Sequence, residues 1–245
     1  MVNRSDMKKQ MEPDTDQLSS LRAISYQYSA DGERPLTDRQ RQDLMRIGMR
    51  VRLPARMVVY REDSPAQWVF AITDGAVKCY RDLPSGKRVV GAFLFARDLF
   101  GLAENGQYLN CAQTLTVTTM YRLPTGDLAA LLKHDADMQF KFLMKVTHEL
   151  REAQRRAILI SRRDAAGRLA MFISQMESRE YPSGHTRVVP LPMTRSDIAG
   201  FLGLSLESVS RAAAELEQRG LIQFENRHRV RIVDLEGFTR LVAAV

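Results

Sequence analysis

TRSDIAGFLGLSLESVSR, residues 194–211, predicts two short helices joined by a tight turn. Thr194 suits the N-cap of the first helix, and Asp197 three residues later completes an acidic form of the capping box. Gly203 is placed to end that helix, and Ser205 is placed to cap a second one. The apolar face of the first helix consists of Ile198, Phe201 and Leu202. This stretch therefore predicts a pair of helices that pack against a common core.

The second helix, expected to run to about Gln218, has one apolar and one polar face. Its inward face consists of Val209, Ala213 and Leu216, and its outward face of Leu206, Glu207, Ser210, Arg211 and Ala214. A glutamate can accept from cytosine N4, an arginine can bind guanine O6 and N7, and a serine can adapt to either. The pattern is typical of a recognition helix that contacts DNA bases. A helical hairpin with a solvated charged face would show the same glutamate–arginine spacing.

A β-wing is predicted directly after the second helix. Residues 223–233, QFENRHRVRIV, indicate two short strands around a polar turn, and the basic side chains of that turn would lie near DNA phosphates. A helix-turn-helix followed by a wing is a winged-helix module. The expected contacts with the DNA backbone are Thr194, Arg195, Ser205, Ser208, Arg227 and His228.

The composition places the chain among globular proteins of one or two domains. It has 245 residues, of which 44% are hydrophobic and 27% charged, and the net charge of +7 favours a polyanionic partner. No apolar run approaches the roughly 18 residues that span a bilayer, and the N-terminus lacks an apolar signal core. We therefore expect a cytoplasmic protein with no membrane contact. Two cysteines, Cys79 and Cys111, are too few for a disulfide framework or a four-thiolate metal centre.

Two further regions precede the winged helix. Residues 1–35 are polar and show little periodicity, which predicts a disordered arm, and a short helix is expected near residues 37–48. From about 49 to 125 short apolar segments alternate with turn residues, as in an antiparallel barrel, roll or sandwich. The expected strands are residues 51–53, 57–60, 68–72, 77–81, 89–93 and 114–123.

A long helix is predicted at residues 133–161. Apolar residues recur along it at alternating intervals of three and four, namely Leu143, Val146, Leu150, Ala153, Ala157 and Ile160. This heptad pattern is typical of a coiled coil, and the two alanines suit the close approach of a second helix. We therefore expect a homodimer. A single amphipathic helix that packs on its own domain would show a similar stripe.

The order of roll, long helix and winged helix resembles the Crp/Fnr family of bacterial transcription regulators over roughly residues 40–245. Residues 72–78, ITDGAVK, and 98–101, DLFG, are similar to glycine turns of that family, and residues 191–204 are similar to its FixK and Fnr branches. The resemblance implies an α+β fold with three parts: a cyclic-nucleotide-binding-type β-roll (36–132), a coiled-coil dimerisation helix (133–161) and a C-terminal winged helix-turn-helix (162–245).

The resemblance also implies a DNA sequence. Glu207-x-x-Ser210-Arg211 matches the E-x-x-S-R signature of the FixK and Fnr branches, whereas Crp-type members carry an arginine where this chain has Leu206. The branch implies activation from inverted TTGAT-type half-sites, with Arg211 reading guanine, Glu207 accepting from the opposite strand and Ser210 touching a thymine or a phosphate. Contact with RNA polymerase is expected from roll loops, for which residues 83–87 are a candidate, although they also suit a plain hairpin turn.

The effectors of the family are not expected here. No cysteine precedes Cys79, and Tyr121 stands where Fnr has its last iron–sulfur ligand. A Crp-type cyclic nucleotide site needs a Gly-Glu-Leu segment and an Arg-Ser pair, whereas this chain has FGLAENG at 100–106 and then Asn110-Cys111. The prediction is a FixK-like regulator without a cofactor. The alternative is a ligand- or redox-gated sensor, with Cys79, Cys111, His134 and His148 as its candidate groups.

Enzymatic activity is not expected. His148-Glu149 suggests a zinc-protease motif, but Glu152 occupies the position of the second histidine. The chain also lacks a phosphate-binding glycine loop and a nucleophile elbow. We therefore predict no catalytic residue and no metal site.

Overall fold

The computed structural model describes residues 36–161, 164–180 and 188–243, so the predicted N-terminal arm at 1–35 lies outside the described residues. Helix α1 spans Asp38–Ile47, where the sequence predicts a helix. The Gln40 backbone N–H donates to Thr37 Oγ1 (3.2 Å), and the Thr37 N–H donates to Gln40 Oε1 (3.0 Å). This capping box starts α1 just before the first strand.

Within residues 36–161, eight strands form the β-roll from two antiparallel four-stranded sheets. The strands are β1 (Met49–Leu53), β2 (Val58–Tyr60), β3 (Trp68–Asp74), β4 (Ala76–Asp82), β5 (Arg88–Phe95), β6 (Leu99–Phe100), β7 (Cys111–Thr114) and β8 (Thr118–Pro124). Their order is β1-β8-β3-β6 in one sheet and β2-β7-β4-β5 in the other. At the β3–β4 turn, Gly75 has φ +91°, and a Cβ there would stand 2.6 Å from the Val117 carbonyl oxygen. This turn therefore requires glycine.

The prediction of a single strand at residues 114–123 is wrong. Strand β7 ends at Thr114 and pairs with β4, whereas β8 begins at Thr118 and pairs with β1 and β3 in the other sheet. The chain must therefore pass from one sheet to the other between them, and residues 115–117 make that crossing.

Two helices follow the roll. Helix α2 spans Thr125–His134 and α3 spans Ala136–Ser161, so the long helix begins three residues after the predicted position 133. Asp135 separates the two helices, and its Oδ1 accepts from the Met138 backbone N–H at 2.9 Å. A carboxylate that caps a new helix in this way explains why the helical pattern is interrupted there.

The C-terminal part is a winged helix. It consists of α4 (Ala165–Glu180), β9 (Val188–Pro190), α5 (Arg195–Leu202), α6 (Leu206–Gln218), β10 (Ile222–Asn226), β11 (Arg229–Ile232) and α7 (Leu235–Ala243). The sequence predicts the two wing strands, but the sheet has a third, β9, which pairs with β11. Only three residues long, β9 shows no alternating pattern of its own. Helix α7 was also not predicted, although Asp234 is a local signal for it because its Oδ1 accepts from the Gly237 N–H at 3.0 Å.

The largest hydrophobic cluster joins the roll to the winged helix. Tyr80, Val90 and Phe93 of β4 and β5 lie in one cluster with residues of α4, α5 and α6. The Phe93 ring centroid is 5.2 Å from that of Phe201 and 5.9 Å from that of Phe172. The two halves therefore share one core, and the predicted α+β fold class is confirmed. Among the described residues, no helix has the length and apolarity needed to cross a membrane.

Candidate nucleic-acid interface

Local hydrogen bonds shape the helix-turn-helix as the sequence predicts. The Asp197 N–H donates to Thr194 Oγ1 (3.1 Å), and the Thr194 N–H donates to Asp197 Oδ2 (3.1 Å). Gly203 follows α5 with φ 68°, in the left-handed region that favours glycine. The Ser208 N–H donates to Ser205 Oγ (3.0 Å) at the start of α6. Both helix starts and the turn between them are confirmed.

Helix α6 has the two faces that its sequence indicates. Val209, Ala213 and Leu216 are buried, whereas the side chains of Glu207 and Arg211 are 77% and 72% exposed. Glu207 Oε1 lies 3.7 Å from Arg211 Nη1, which makes an exposed pair of the kind that contributes less than about 1 kcal/mol. Such a pair costs little to separate, so both side chains are available to a base pair.

The remaining expected base contacts lie beside that pair. Leu206 is exposed at the first position of α6. Ser210 is half-buried, and its Oγ donates to the Leu206 carbonyl at 3.0 Å. A hydroxyl that donates to its own helix still has lone pairs free to accept. The structure therefore brings the expected base contacts to one end of one helix.

The expected backbone contacts surround this face. Thr194, Arg195 and Ser205 are exposed, and Ser208 is half-buried with its Oγ 2.9 Å from Ser205 Oγ. The Arg195 guanidinium lies over the Phe224 ring, 5.1 Å from its centroid, so this cation is held beside the wing. That these residues contact the DNA backbone stays a prediction.

The wing presents its basic turn to solvent. Arg227 and His228 are exposed between β10 and β11, and the His228 N–H donates to Asn226 Oδ1 at 2.8 Å. The Nδ1 atom of His228 lies 3.2 Å from the Leu191 carbonyl oxygen, just ahead of the helix-turn-helix. The tip is therefore tied to the same module that carries α6.

The predicted dimer stripe lies on the uncovered side of α3. All six of its residues are exposed, with Leu143 at 58% and Leu150 at 59%. The opposite side of α3 packs on the chain's own domains through the buried residues Met138, Phe142, Lys145 and Leu159. Phe140 and Ile158 are further exposed apolar residues of α3 that the heptad pattern does not include. The stripe therefore does not pack on this chain.

Aromatic rings fill the interior of the roll. The ring centroids of Tyr60 and Tyr108 are 3.7 Å apart, and those of Phe70 and Phe100 are 5.0 Å apart. The Tyr60 hydroxyl donates to Asn110 Oδ1 at 3.3 Å, at the position where a Crp-type site has its arginine. Burial raises the pKa of Tyr60 far above its usual range, with smaller contributions from neighbours such as Cys79. This interior is packed and uncharged.

The buried cations of the described residues are already paired, which bears on the cyclic nucleotide site of the family. The phosphate of a cyclic nucleotide needs a cation, and the buried cations among the described residues are Lys78 and Lys145. Lys78 is paired with Asp197 of the winged helix, and Lys145 lies 3.1 Å from Asp98. Neither is available to a ligand inside the roll.

The two cysteines lie on opposite faces of one sheet. Cys79 pairs with Ala112, and Cys111 pairs with Tyr80, so their side chains alternate across the pleat. Burial raises the pKa of the Cys79 thiol to about 12. Cys111 is half-buried, and its Sγ accepts from the Glu62 N–H at 3.3 Å. It packs against the cluster between roll and winged helix and does not lie inside the roll.

The remaining candidate groups are scattered. His134 is exposed at the end of α2, and His148 is half-buried on α3. Residues 83–87 form an exposed hairpin turn in which the Leu83 N–H donates to the Lys87 carbonyl at 2.9 Å. The structure gives this turn a regular geometry and leaves its surface open.

Comparison with known proteins places the chain in a family. The Crp-like helix-turn-helix domain matches residues 167–241, and the cyclic nucleotide-binding domain matches residues 50–135. The transcriptional activatory protein AadR of Rhodopseudomonas palustris is 31% identical over 204 residues, which cover 83% of this chain and 85% of that protein. The nitrogen fixation regulation protein FixK of Azorhizobium caulinodans is 29% identical over 75% of each chain.

A solved structure agrees with these relatives. FixK2 from Bradyrhizobium japonicum superposes with a TM-score of 0.74 at 29% identity, over 81% of this chain and 99% of that one. AadR is named a transcriptional activatory protein and FixK a regulation protein, and their match extends through both the roll and the winged helix. This chain belongs to the Crp/Fnr family and is a helix-turn-helix, DNA-binding transcription regulator.

Proposed function

We propose that this regulator is a homodimeric activator that binds inverted TTGAT-type half-sites without a cyclic nucleotide or an iron–sulfur cluster. The observation that carries the proposal is the uncovered face of α6. There Glu207, Ser210 and Arg211 stand in E-x-x-S-R order at the start of the helix. A recognition helix contacts base edges with its N-terminal residues, which is where these side chains lie.

The four side chains expected to contact bases each suit a different group in the major groove. Arg211 can donate two hydrogen bonds to guanine, and Glu207 can accept from cytosine N4 on the opposite strand. Leu206 is apolar and suits the methyl group of thymine, whereas Ser210 can contact a thymine or a phosphate. The surrounding residues Thr194, Arg195, Ser205, Ser208, Arg227 and His228 would hold the DNA backbone.

The exposed stripe of α3 supports a homodimer. Leu143, Val146, Leu150, Ala153, Ala157 and Ile160 face away from the chain that carries them. A contiguous apolar stripe on a protein surface marks an interaction site, and the heptad spacing suits a second copy of the same helix. Two recognition helices related by a two-fold axis then meet two half-sites about one helical turn apart.

The packed roll supports activity without an effector. The family description of residues 50–135 as a cyclic nucleotide-binding domain reflects the shared fold. In this chain the rings of Tyr60, Phe70, Phe100 and Tyr108 occupy the interior. We expect that excess cyclic AMP leaves the melting temperature unchanged, since a ligand that binds only the folded state would raise it.

Activation is proposed from the relatives. AadR is named a transcriptional activatory protein, and the related anr of Pseudomonas aeruginosa is named a transcriptional activator protein. RNA polymerase would be the partner, with the exposed turn at residues 83–87 as the candidate contact. Alanine substitutions there should lower transcription without changing DNA affinity.

The test is anisotropy binding of the ligand-free protein to a duplex with inverted TTGAT half-sites, against a scrambled duplex at fixed salt. Salt is fixed because phosphate contacts alone give affinity without selectivity. Arg211→Ala should weaken binding by about 1–3 kcal/mol and relax the preference at one base pair. Arg219→Ala is the matched control, because Arg219 lies at the other end of α6 and pairs with Glu215 in the same i,i+4 manner. Equal, weak binding of wild type to both duplexes would overturn the proposal.

A second candidate is a redox-gated regulator. Its supporting observation is Cys111, which is half-buried and packs against the hydrophobic cluster that joins roll and winged helix. Oxidation there would add polar atoms to a packed contact and alter how the two halves meet. An oxidant titration that leaves DNA affinity unchanged would remove this candidate.

A further inference from the structure

A buried ion pair joins the roll to the first helix of the helix-turn-helix. Lys78 Nζ of β4 contacts Asp197 Oδ1 of α5, although the residues are 119 positions apart, and each side chain is 8% exposed. The other oxygen, Oδ2, accepts from Thr194 Oγ1 at 2.7 Å and so serves the helix cap. Burial opposes ionisation of Asp197, but hydrogen bonds from Lys78 and Thr194 prevail and lower its pKa. The carboxylate is therefore charged and shared between cap and roll.

Close backbone packing accompanies this ion pair. A Cβ on Gly200 of α5 would stand 2.9 Å from the Arg88 carbonyl oxygen and 3.3 Å from Val90 Cγ2, both of β5. The first of these distances is shorter than ordinary contact permits, and its partner is backbone that cannot rotate away. Helix α5 can therefore lie this close to β5 only with glycine at position 200.

The long helix holds α5 from another side. The Arg156 guanidinium of α3 lies 5.0 Å from the Phe201 ring centroid, and its Nε donates to the Phe201 carbonyl at 3.2 Å. The same ring packs against Phe93 of the roll at 5.2 Å. Helix α5 is thus held by both the roll and the dimerisation helix.

These contacts leave the recognition face open. Glu207 and Arg211 remain 77% and 72% exposed while α5 is held, so the contacts do not cover the DNA-binding surface. The tight turn at Gly203 joins α5 directly to α6, so the position of α5 sets the direction in which α6 points.

We infer that Lys78, Asp197, Gly200 and Phe201 form a clamp that fixes the pose of the recognition helix relative to α3 without a bound effector. We call these four residues the α5 clamp. The inference rests on the proposed function, because its consequence appears in a dimer that reads two half-sites. A fixed pose matches only one half-site spacing, whereas a loose pose accepts several. The clamp residues are therefore positioning residues that act through α6.

Gly200→Ala is the first test, with Gly126→Ala as its matched control. Gly126 also lies in a helix, and a Cβ there would meet no atom within 4 Å. Anisotropy is measured with operators whose inverted TTGAT half-sites are centred about one helical turn apart, here called the native spacing, and with operators whose centre is lengthened by one or two base pairs. For Gly200→Ala we expect affinity for the native spacing to fall about tenfold, because only a fraction of molecules holds the competent pose. Affinity for the longer operators should change little, so the preference for native spacing should shrink.

Lys78→Met is the second test, with Lys133→Met, an exposed lysine of α2, as its control. It keeps the apolar stem of the side chain and leaves Asp197 buried without its partner. The double variant Lys78→Met/Asp197→Asn removes both charges, and it should recover part of the spacing preference if the two residues act as a pair.

The spacing preference separates positioning from mere stability. A variant that only unfolds more readily has fewer active molecules, but the ratio of its affinities for two operators stays the same. An unchanged ratio in both Gly200→Ala and Lys78→Met would therefore overturn the clamp. Tighter binding by either variant would also overturn it, since the contacts would then inhibit DNA binding.

The clamp can also be tested without DNA. We expect the backbone amides of α5 to exchange hydrogen faster in Gly200→Ala than in Gly126→Ala, because the contact with β5 is lost. If wild type fails to select TTGAT operators, the proposed function fails, and this exchange experiment still decides the clamp. Equal exchange in the two variants would overturn it.

Discussion

The interior of the roll and its contact with the winged helix are both buried, but they are built from different chemistry. The interior holds stacked rings such as Tyr60 on Tyr108, whereas the contact contains a buried ion pair and a backbone approach at Gly200. Rings fill volume and depend weakly on direction, whereas an ion pair and a glycine contact each permit one geometry. The difference indicates that aromatic packing fills the interior of the roll, whereas directional contacts connect the roll to the DNA-binding module.

Removing an aromatic ring from the roll interior should have the largest effect on the free energy of unfolding. Phe70→Ala should lower the free energy of unfolding by about 3–5 kcal/mol, because a buried side chain is replaced by a cavity. Chemical denaturation measures this change. Leu109→Ala, at an exposed position, is the control and should stay within about 0.5 kcal/mol of wild type. A small loss for Phe70→Ala would show that the interior is already loosely packed.

Removing one charge of the buried ion pair should weaken the contact between roll and winged helix and lower the free energy of unfolding. Asp197→Asn should cost about 3 kcal/mol of unfolding free energy, since Lys78 would be left buried without a counter-charge. The control is Glu207→Gln, which breaks an exposed pair and should cost less than about 1 kcal/mol. Denaturation measures both losses. Similar losses of unfolding free energy in the two variants would contradict the prediction that the buried pair stabilises the fold more than the exposed pair.

Acid should narrow the difference in unfolding free energy between wild type and Asp197→Asn. The pKa of Asp197 is lowered in the folded state, so its contribution is fully present above the ordinary aspartate pKa of about 4. That contribution is lost as the pH falls through the lowered value. The gap between the unfolding free energies of the two proteins, measured from pH 7 down to pH 3, should therefore narrow as the pH falls below about 4. A constant gap between the two proteins would contradict the assignment.

Thiol labelling should distinguish the roll interior from its contact with the winged helix without any substitution, and it has the smallest expected effect. Cys79 lies in the packed interior with its pKa raised to about 12, whereas Cys111 is half-buried at the contact between roll and winged helix. Iodoacetamide at pH 8 should modify Cys111 first and Cys79 only after denaturant is added, as followed by mass spectrometry. Equal rates in the folded protein would show that the interior opens to solvent.

Local patterns predicted the helix-turn-helix almost residue by residue. The caps at Thr194 and Ser205 and the turn at Gly203 depend on hydrogen bonds between residues three or four apart, which a sequence displays directly. The heptad along α3 likewise identified the stripe that the fold leaves exposed, because helical periodicity assigns residues to faces. The Glu207-x-x-Ser210-Arg211 spacing then placed the expected base contacts on one face of α6.

Long-range packing decided what the patterns did not show. The predicted strand at 114–123 is divided because its halves join different sheets, and β9 exists because β11 offers it a partner. Whether an effector fits the roll depends on rings that come from four separate segments of the chain. None of these partners is close in sequence.

The helix-turn-helix, the wing strands and the stripe of α3 can be read from short stretches of sequence, because each depends on neighbours within a few residues. The contact of Lys78 with Asp197 across 119 positions and the packing of Gly200 on β5 depend on the folded chain. The sequence around a lysine in a strand or a glycine in a helix does not show which distant residue it will contact. Their roles arise where β4 and β5 of the roll pack against α5 and exclude water.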